Sequence, residues 1–518
     1  MASLYSRLRR LAEERPQTTV LVHSRRNGTD RRVTFAQLLA GCRQTADAFR
    51  LAGVRRGDKA VVMTGNPCDL VTTVYGLLAI GAVPVLVDPG LPRAELRQCL
   101  DEVAPEVFVG EPLAHLARTA LGWARDHVRT PLVTGCALPG LGRRLSMPPG
   151  ADGAWDLDEP APEDLALIAF TSGSTGVPKG VEYLHSTLAG QVDAFAAVFG
   201  TDGVLLAGFL PLVLLAPVLG LTVVAPAVNH RAPARTPPAR LLRPVLNHRA
   251  TVVAASPAVL ALLAGECARR GLTLPTVDRA VSFGASLRPH LATALHGVLR
   301  PNAEVISAYG ATECLPVSTI STTGLRSLGP GTCVGRTVGT ISARILDSGP
   351  DGVGEIAVTG PNVSLAYHSR PQATAAAKAA THDGVLHRTG DMGRIDDQGR
   401  LWFHGRRAHR ILGDGFVLTT EDIEAAADTV PGVRRAALVG VGPPGRQHAI
   451  LCVEPLSRRA KRRAVVGAVR ALLAGHPDGH RISDVLVHPG LPMDIRHNSK
   501  INREQVAAWA VRHARRPR

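Results

Sequence analysis

Long apolar runs, aromatic residues and clustered cysteines are all scarce in this chain of 518 residues. The longest apolar stretch, residues 204–227, is interrupted by glycines and by Pro211, Pro217 and Pro226, so it reads as buried strand, loop and helix, not as a membrane span. Met1 to Arg10 is basic, but no apolar segment or cleavage site follows; no signal peptide is expected, and the expected compartment is the cytoplasm. The eight cysteines form no Cys-x-x-Cys pair, which argues against a zinc site or a disulfide framework. Acidic residues are too few to balance the basic ones: 43 Asp and Glu against 59 Lys and Arg leave a formal charge of +16. Nucleic acid is nevertheless not the expected partner. The arginines are dispersed, and four Trp and five Tyr offer few platforms for base stacking. The charge suits attraction of ATP, of acidic partners, or of an anionic lipid surface touched peripherally.

Hydrophobic residues at 45% and charged residues at 20% are enough to bury a core, and the length requires more than one domain. Residues 15–110 alternate strand and helix patterns: a strand over Lys59 to Thr64, an apolar helix over Leu70 to Ile80, a strand over Ala82 to Val87. Helices between hydrophobic strands predict an α/β architecture with parallel or mixed sheets. Residues 137–163 and 231–244, rich in Pro with Gly and Asp or Arg, read as connections. Beyond residue 330 the pattern turns to short strands with Gly-rich turns. After Gly405-Arg406-Arg407 it becomes a compact α+β unit of about 110 residues. The expected organisation is a large multi-subdomain N-terminal domain, 1–407, and a small C-terminal α+β domain, 408–518.

The densest chemical signal is Phe170-Thr171-Ser172-Gly173-Ser174-Thr175-Gly176-Val177-Pro178-Lys179-Gly180, which follows the apolar run Leu165 to Phe170. Glycines let the backbone turn tightly and aim N–H groups at an anion. Hydroxyls add neutral donors, and Lys179 adds a positive charge. The pattern is that of a phosphate-gripping loop, without the Gly-Lys-Ser/Thr of a Walker A loop. It resembles the phosphate loop of the adenylate-forming superfamily of acyl-CoA synthetases, luciferases and peptide-synthetase adenylation domains. These enzymes use ATP and Mg²⁺ to convert a carboxylate to an acyl-AMP.

Further motifs stand in the order this resemblance requires. Tyr309-Gly310-Ala311-Thr312-Glu313 matches the motif that sets an aromatic ring against adenine, a Thr near the α-phosphate and a Glu on Mg²⁺. A hard cation takes a carboxylate oxygen together with phosphate oxygens. Gly284-Ala285 matches the adenine-side turn, Asp391 of Thr389-Gly390-Asp391 the ribose contact, and Arg406 a ribose or phosphate contact. Lys500 matches the lysine that bridges carboxylate and α-phosphate. The resemblance implies catalytic roles for Lys179, Thr312, Glu313 and Lys500. It implies nucleotide binding by Thr171, Ser172, Gly173, Ser174, Thr175, Gly176, Lys179, Gly284, Ala285, Tyr309, Gly310, Thr312, Asp391 and Arg406, with Glu313 as the metal ligand.

Two departures narrow the branch. The hinge position that carries Asp or Lys in most thioester-forming members is Ala408, and the usual Ser-Gly-Lys is replaced by Asn498-Ser499-Lys500. The combination is similar to the β-lactone synthetases of bacterial olefin pathways. That resemblance implies adenylation of a long-chain 2-alkyl-3-hydroxy acid, then attack by the substrate's own β-hydroxyl to close a β-lactone and expel AMP. It also implies a thiolase-like enzyme and a reductase as pathway partners. The alternative is a long-chain fatty acyl-CoA ligase or acyl-AMP ligase. Phe209 to Leu215 stands where relatives build the acyl pocket, and His185, His409 and His497 are candidates by chemistry for the base.

Overall fold

A computed structural model describes residues 3–135, 140–145, 159–171, 177–229, 233–322, 330–382, 384–457, 462–493 and 500–514. Local chemistry explains the helices nearest the core. Helix Phe35–Leu51 opens on a capping box in which the Thr34 hydroxyl accepts from Gln37 N while the Gln37 amide oxygen accepts from Thr34 N. Helix Pro67–Ala79 starts with Pro67 at its first position, and the Asn66 side chain accepts from Cys68 N. Its Leu70, Val71, Val74, Tyr75, Leu77 and Leu78 are all buried. Being apolar all round, it can only lie between layers; each such side chain contributes about 1.5–3 kcal/mol by leaving water.

Those layers are two large sheets. In one, six parallel strands lie side by side in the order Thr19–Ser24, Thr222–Ala225, Val204–Ala207, Val252–Ala255, Arg279–Ser282 and Glu304–Ala311. The sheet continues antiparallel through Cys314–Ser321, Thr332–Thr337, Leu401–Arg406, Gly384–Ile395, Gly354–Thr359 and Ser342–Leu346. The other is built on parallel strands Leu165–Phe170, Val83–Leu86, Lys59–Met63, Val107–Gly110 and Thr130–Val133, with antiparallel Gly180–Leu184 and Ala366–Tyr367 beyond the first of these. One apolar core includes Val62 and Val109 of the second sheet and Leu205, Val223 and Val252 of the first. This is the mixed α/β architecture expected of an adenylate-forming enzyme.

Residues from 411 onward have their own cores. Ile411, Ile423, Leu438, Leu451 and Val469 belong to one, and Ala437, Ile450, Val506 and Ala510 to another, on opposite faces of the sheet Val433–Val441, His448–Pro455, Ile482–Val487. Its helix Glu421–Asp428 meets the larger part of the chain through ion pairs. Arg288 lies 3.5 Å from Glu421 and 2.9 Å from Asp428, and the Thr332 hydroxyl donates to Glu421 at 2.6 Å.

The region read as a Pro/Arg-rich connection contains a helix, Ala239–Asn247, with Pro244 inside it. Leu241, Leu242 and Val245 form a buried stripe, and their burial overrides the proline penalty. The long strand Gly384–Ile395, the strand Ile482–Val487 and the helix Arg503–His513 were not foreseen in the sequence pattern.

Candidate active site

The carboxyl ends of parallel strands are where an open α/β sheet leaves a crevice for ligands, and the motifs converge there. Strand Leu165–Phe170 and antiparallel Gly180–Leu184 form the neck of the glycine-rich loop, with Phe170 opposite Gly180. Thr171 N donates to Lys179 O at 2.9 Å, and Lys179 N donates to the Thr171 hydroxyl at 3.0 Å, closing the neck. Ser172, Gly173, Ser174, Thr175 and Gly176 lie outside the described residues.

Glu313 sits at the tip of a tight hairpin between Glu304–Ala311 and Cys314–Ser321, in which Ala311 pairs with Cys314. Gly310 is required there, since a Cβ would come within 2.8 Å of both the Cys314 carbonyl and the Leu315 side chain. The Thr312 carbonyl accepts from the Tyr183 hydroxyl, tying the tip to the strand that leaves the phosphate loop. The Glu313 carboxylate accepts from the Tyr367 hydroxyl at 2.7 Å. Tyr367 is placed by pairing with Val181 on that same strand. Its ring lies under the Lys179 ammonium, 4.6 Å from Nζ, so the loop lysine and the hairpin glutamate share one aromatic partner.

Lys378 Nζ stands 5.7 Å from the same ring and donates to the Ser364 carbonyl at 2.6 Å and hydroxyl at 3.0 Å. Burial lowers its pKa to about 8. Burial likewise lowers neighbouring His387 to about 4, so its imidazole is neutral at physiological pH. Burial alone would raise Glu313, but His387, the Tyr367 hydroxyl and Lys378 outweigh it, and the group is held below the ordinary carboxyl range. A single ionised carboxylate here fits Mg²⁺ taken mostly by phosphate oxygens. Among the described residues no cluster of three His, Cys, Asp or Glu could hold a metal by itself.

The other half of the site is the Tyr309–Asp391–Arg406 group. The Tyr309 hydroxyl donates to Asp391 Oδ2 at 2.6 Å, and Arg406 Nε stands 2.9 Å from Oδ1. That second contact has ion-pair distance without hydrogen-bond geometry, so Oδ1 is a buried acceptor with no donor. It is suited to a sugar hydroxyl. Burial raises Asp391, opposed by Arg406, by Tyr309 and by the Lys500 ammonium, which brings Lys500 into the field of this carboxylate. Lys500 directly precedes Ile501, which bridges to Met493, and helix Arg503–His513 follows, capped by the Asn502 side chain accepting from Gln505 N. Gly284, at φ +92°, ends strand Arg279–Ser282 in a left-handed turn that glycine permits, and Ala285 follows it.

Not every candidate arrives. His185 begins helix His185–Phe199, at the far end of strand Gly180–Leu184 from Lys179, with Asp164, Glu159 and Arg56 as its charged neighbours. His409 feels Arg503 and Arg406 and is lowered to about 4, chiefly by burial. His497 lies outside the described residues. Leu212, Val213 and Leu215 are core, whereas Phe209, Leu210 and Leu214 are only partly buried. Cys314 is a buried packing residue whose thiol is pushed up to about 12 by burial. Tyr367, Lys378 and His387 were not singled out from the sequence. No local motif marks them, and the Tyr367–Glu313 bond spans 54 residues.

Comparison with known proteins shows the family. The family described as "AMP-binding enzyme" matches residues 8–368. An olefin beta-lactone synthetase of Stenotrophomonas maltophilia (strain K279a) is 40% identical, covering 98% of this chain and 98% of that protein. One from Xanthomonas campestris pv. campestris is 38% identical over 99% and 98%. Among solved structures, the amide bond synthetase McbA of Marinactinospora thermotolerans superposes with a TM-score of 0.83 at 24% identity, covering 98% of this chain and 99% of that one. ATP-bound MatB from Rhodopseudomonas palustris gives 0.80 at 21%, covering 98% and 99%. At those identities the two structures speak to the fold alone.

Proposed function

The chain belongs to the AMP-binding enzyme family and is an ATP-dependent, AMP-forming ligase; from that premise we propose that it converts a long-chain 2-alkyl-3-hydroxy acid to a β-lactone. The observation that carries this reading is the nearly full-length likeness to two olefin beta-lactone synthetases. The absence of an acidic or basic residue at hinge position Ala408 is consistent with it.

In the first half-reaction the substrate carboxylate oxygen attacks the α-phosphorus of ATP, and pyrophosphate leaves. The glycine-rich loop and Lys179 grip the phosphates, Tyr309 packs against adenine, and Asp391 Oδ1 accepts from the ribose. Glu313 would hold Mg²⁺, and the ion would offset the charge of the polyphosphate. Lys500, already in the field of Asp391, offsets the charge of carboxylate and α-phosphate as they approach. In the second half the β-hydroxyl oxygen attacks the activated carbonyl, its proton is lost, and AMP departs as the ring closes. Holding nucleophile and electrophile in one molecule supplies much of the rate. The partly exposed face of Phe209, Leu210 and Leu214 is the proposed lining for alkyl chains. The proposed domain boundary is at Arg407, with Lys500 carried by the smaller domain.

The test is product analysis without coenzyme A. Purified protein with ATP, Mg²⁺ and a syn-2-alkyl-3-hydroxyalkanoate is expected to yield AMP, pyrophosphate and lactone in equal amounts. Turnover that appears only on adding coenzyme A would show an acyl-CoA ligase instead.

A further inference from the structure

On the outer side of the parallel sheet, helix Ala239–Asn247 and the end of helix Pro257–Arg270 border a cavity of about 440 Å³. Arg25, Arg26, Arg240, Arg243 and Arg270 all line it. Two of them are fixed. Arg243 donates to the Ser24 hydroxyl at 3.2 Å and stands 3.7 Å from Asp30, and Arg270 lies 2.6 Å from Glu266. Both acids are shared with another base, Asp30 with His248 and Glu266 with Arg269. Among the described residues no carboxylate pairs with Arg25, Arg26 or Arg240. Guanidinium groups converging on one concavity repel each other unless an anion enters, and the cavity focuses a positive potential.

The mouth is not purely polar. Leu246 and Leu272, which also line the cavity, are 41% and 37% exposed. On helix Ala239–Asn247 the inward stripe is Leu241, Leu242 and Val245, and the outward one is Arg240, Arg243 and Leu246. A site for a free phosphate would have no use for exposed leucines at its rim. A concavity lined by arginines, with exposed leucines among its lining residues, matches the headgroup layer of a bilayer.

We propose that this cavity docks the chain on a membrane surface by binding the phosphate groups of anionic phospholipids, with Leu246 and Leu272 in contact with the interfacial layer. The location suits an enzyme whose acid and lactone carry long alkyl chains; only that remark rests on the proposed reaction, because the test needs no turnover. The test is co-sedimentation of the full chain with phosphatidylcholine vesicles, with and without phosphatidylglycerol, at low and high salt. Binding is expected only with phosphatidylglycerol and is expected to fade at high salt. The double variant Arg26→Glu/Arg240→Glu is expected to weaken it by at least about tenfold. Leu246→Ser/Leu272→Ser, at unchanged charge, is expected to weaken it several-fold. A control of equal net charge, Arg125→Glu/Arg512→Glu, is expected to change it less than about twofold. Unchanged melting temperatures show that the variants are folded. Equal losses in the cavity and control variants would mean diffuse charge attraction and overturn the proposal. So would binding of inorganic pyrophosphate at the cavity by a chain that ignores vesicles.

Discussion

Glu313 draws its chemistry from its neighbours. A carboxyl buried to this degree would hold its proton, yet the Tyr367 hydroxyl and the Lys378 ammonium favour its ionised form, the form a divalent cation would need. Glu313→Gln keeps the shape and removes the charge. ATP–pyrophosphate exchange is expected to fall by at least about a hundredfold while the melting temperature stays near that of the parent. Near-normal exchange would remove Glu313 from the metal site. Tyr367→Phe deletes one hydrogen bond but leaves the ring beneath Lys179, so about 0.5–1.5 kcal/mol is lost. It is expected to raise the Mg²⁺ requirement several-fold and to leave kcat within about threefold, as fits a positioning residue; a collapse of kcat at saturating Mg²⁺ would contradict this. Glu313 was legible in the sequence because its motif is contiguous. Tyr367 was not, because its position depends on a strand pairing, Tyr367 with Val181, that brings together residues 186 positions apart.

Helix Glu421–Asp428 carries three acids toward two arginines. Glu424 is well served: Arg503 grips both its oxygens and Leu438 N donates to one of them. Glu421 accepts from Thr332 and faces Arg288. Asp428 lies 2.9 Å from Arg288, yet its buried oxygens have only a poorly aligned backbone contact, from Ala436, in place of a good hydrogen bond. It is the surplus carboxyl, and burial pushes it up to about 7. A folded-state pKa near 7 against an unfolded value near 4 means that the folded chain binds the extra proton between those pH values, so Asp428 lowers stability as pH rises through that window. Asp428→Asn removes the slope. In denaturation the variant is expected to gain on the parent by roughly 1–3 kcal/mol between pH 5 and 8; a gap independent of pH would show that Asp428 is ionised throughout. The sequence announced this helix by Thr420-Glu421-Asp422 at its start. The docking surface was beyond reach, because Arg288 belongs to a distant segment and nothing near it marks a partner.

At the scale of the molecule, the order of motifs made the family legible, since the glycine-rich loop lysine, the hairpin glutamate, the aspartate of Thr-Gly-Asp and the late lysine stand along the chain at residues 179, 313, 391 and 500. The pose of the smaller unit against the larger was not legible, because it is set by ion pairs between segments more than a hundred residues apart. That pose bears on the reaction. With helix Glu421–Asp428 docked on Arg288, Lys500 acts on Asp391. On the proposed reaction the nucleophile is already part of the substrate and there is no second reactant to admit, so one pose can serve both half-reactions. Arg288→Met leaves buried carboxylates without their cation, a loss on the order of 3–5 kcal/mol when one member of a buried pair is removed. It is expected to increase proteolysis near Arg407 and to slow AMP release. Lactone formed per AMP is expected to stay at unity, with no acyl-adenylate accumulating, because the same docked arrangement is lost to both steps. The decisive measurement is single turnover from pre-formed acyl-adenylate. Should the variant close the ring from that intermediate as fast as the parent while failing at adenylation, ring closure proceeds in a different pose and the smaller unit must move after all.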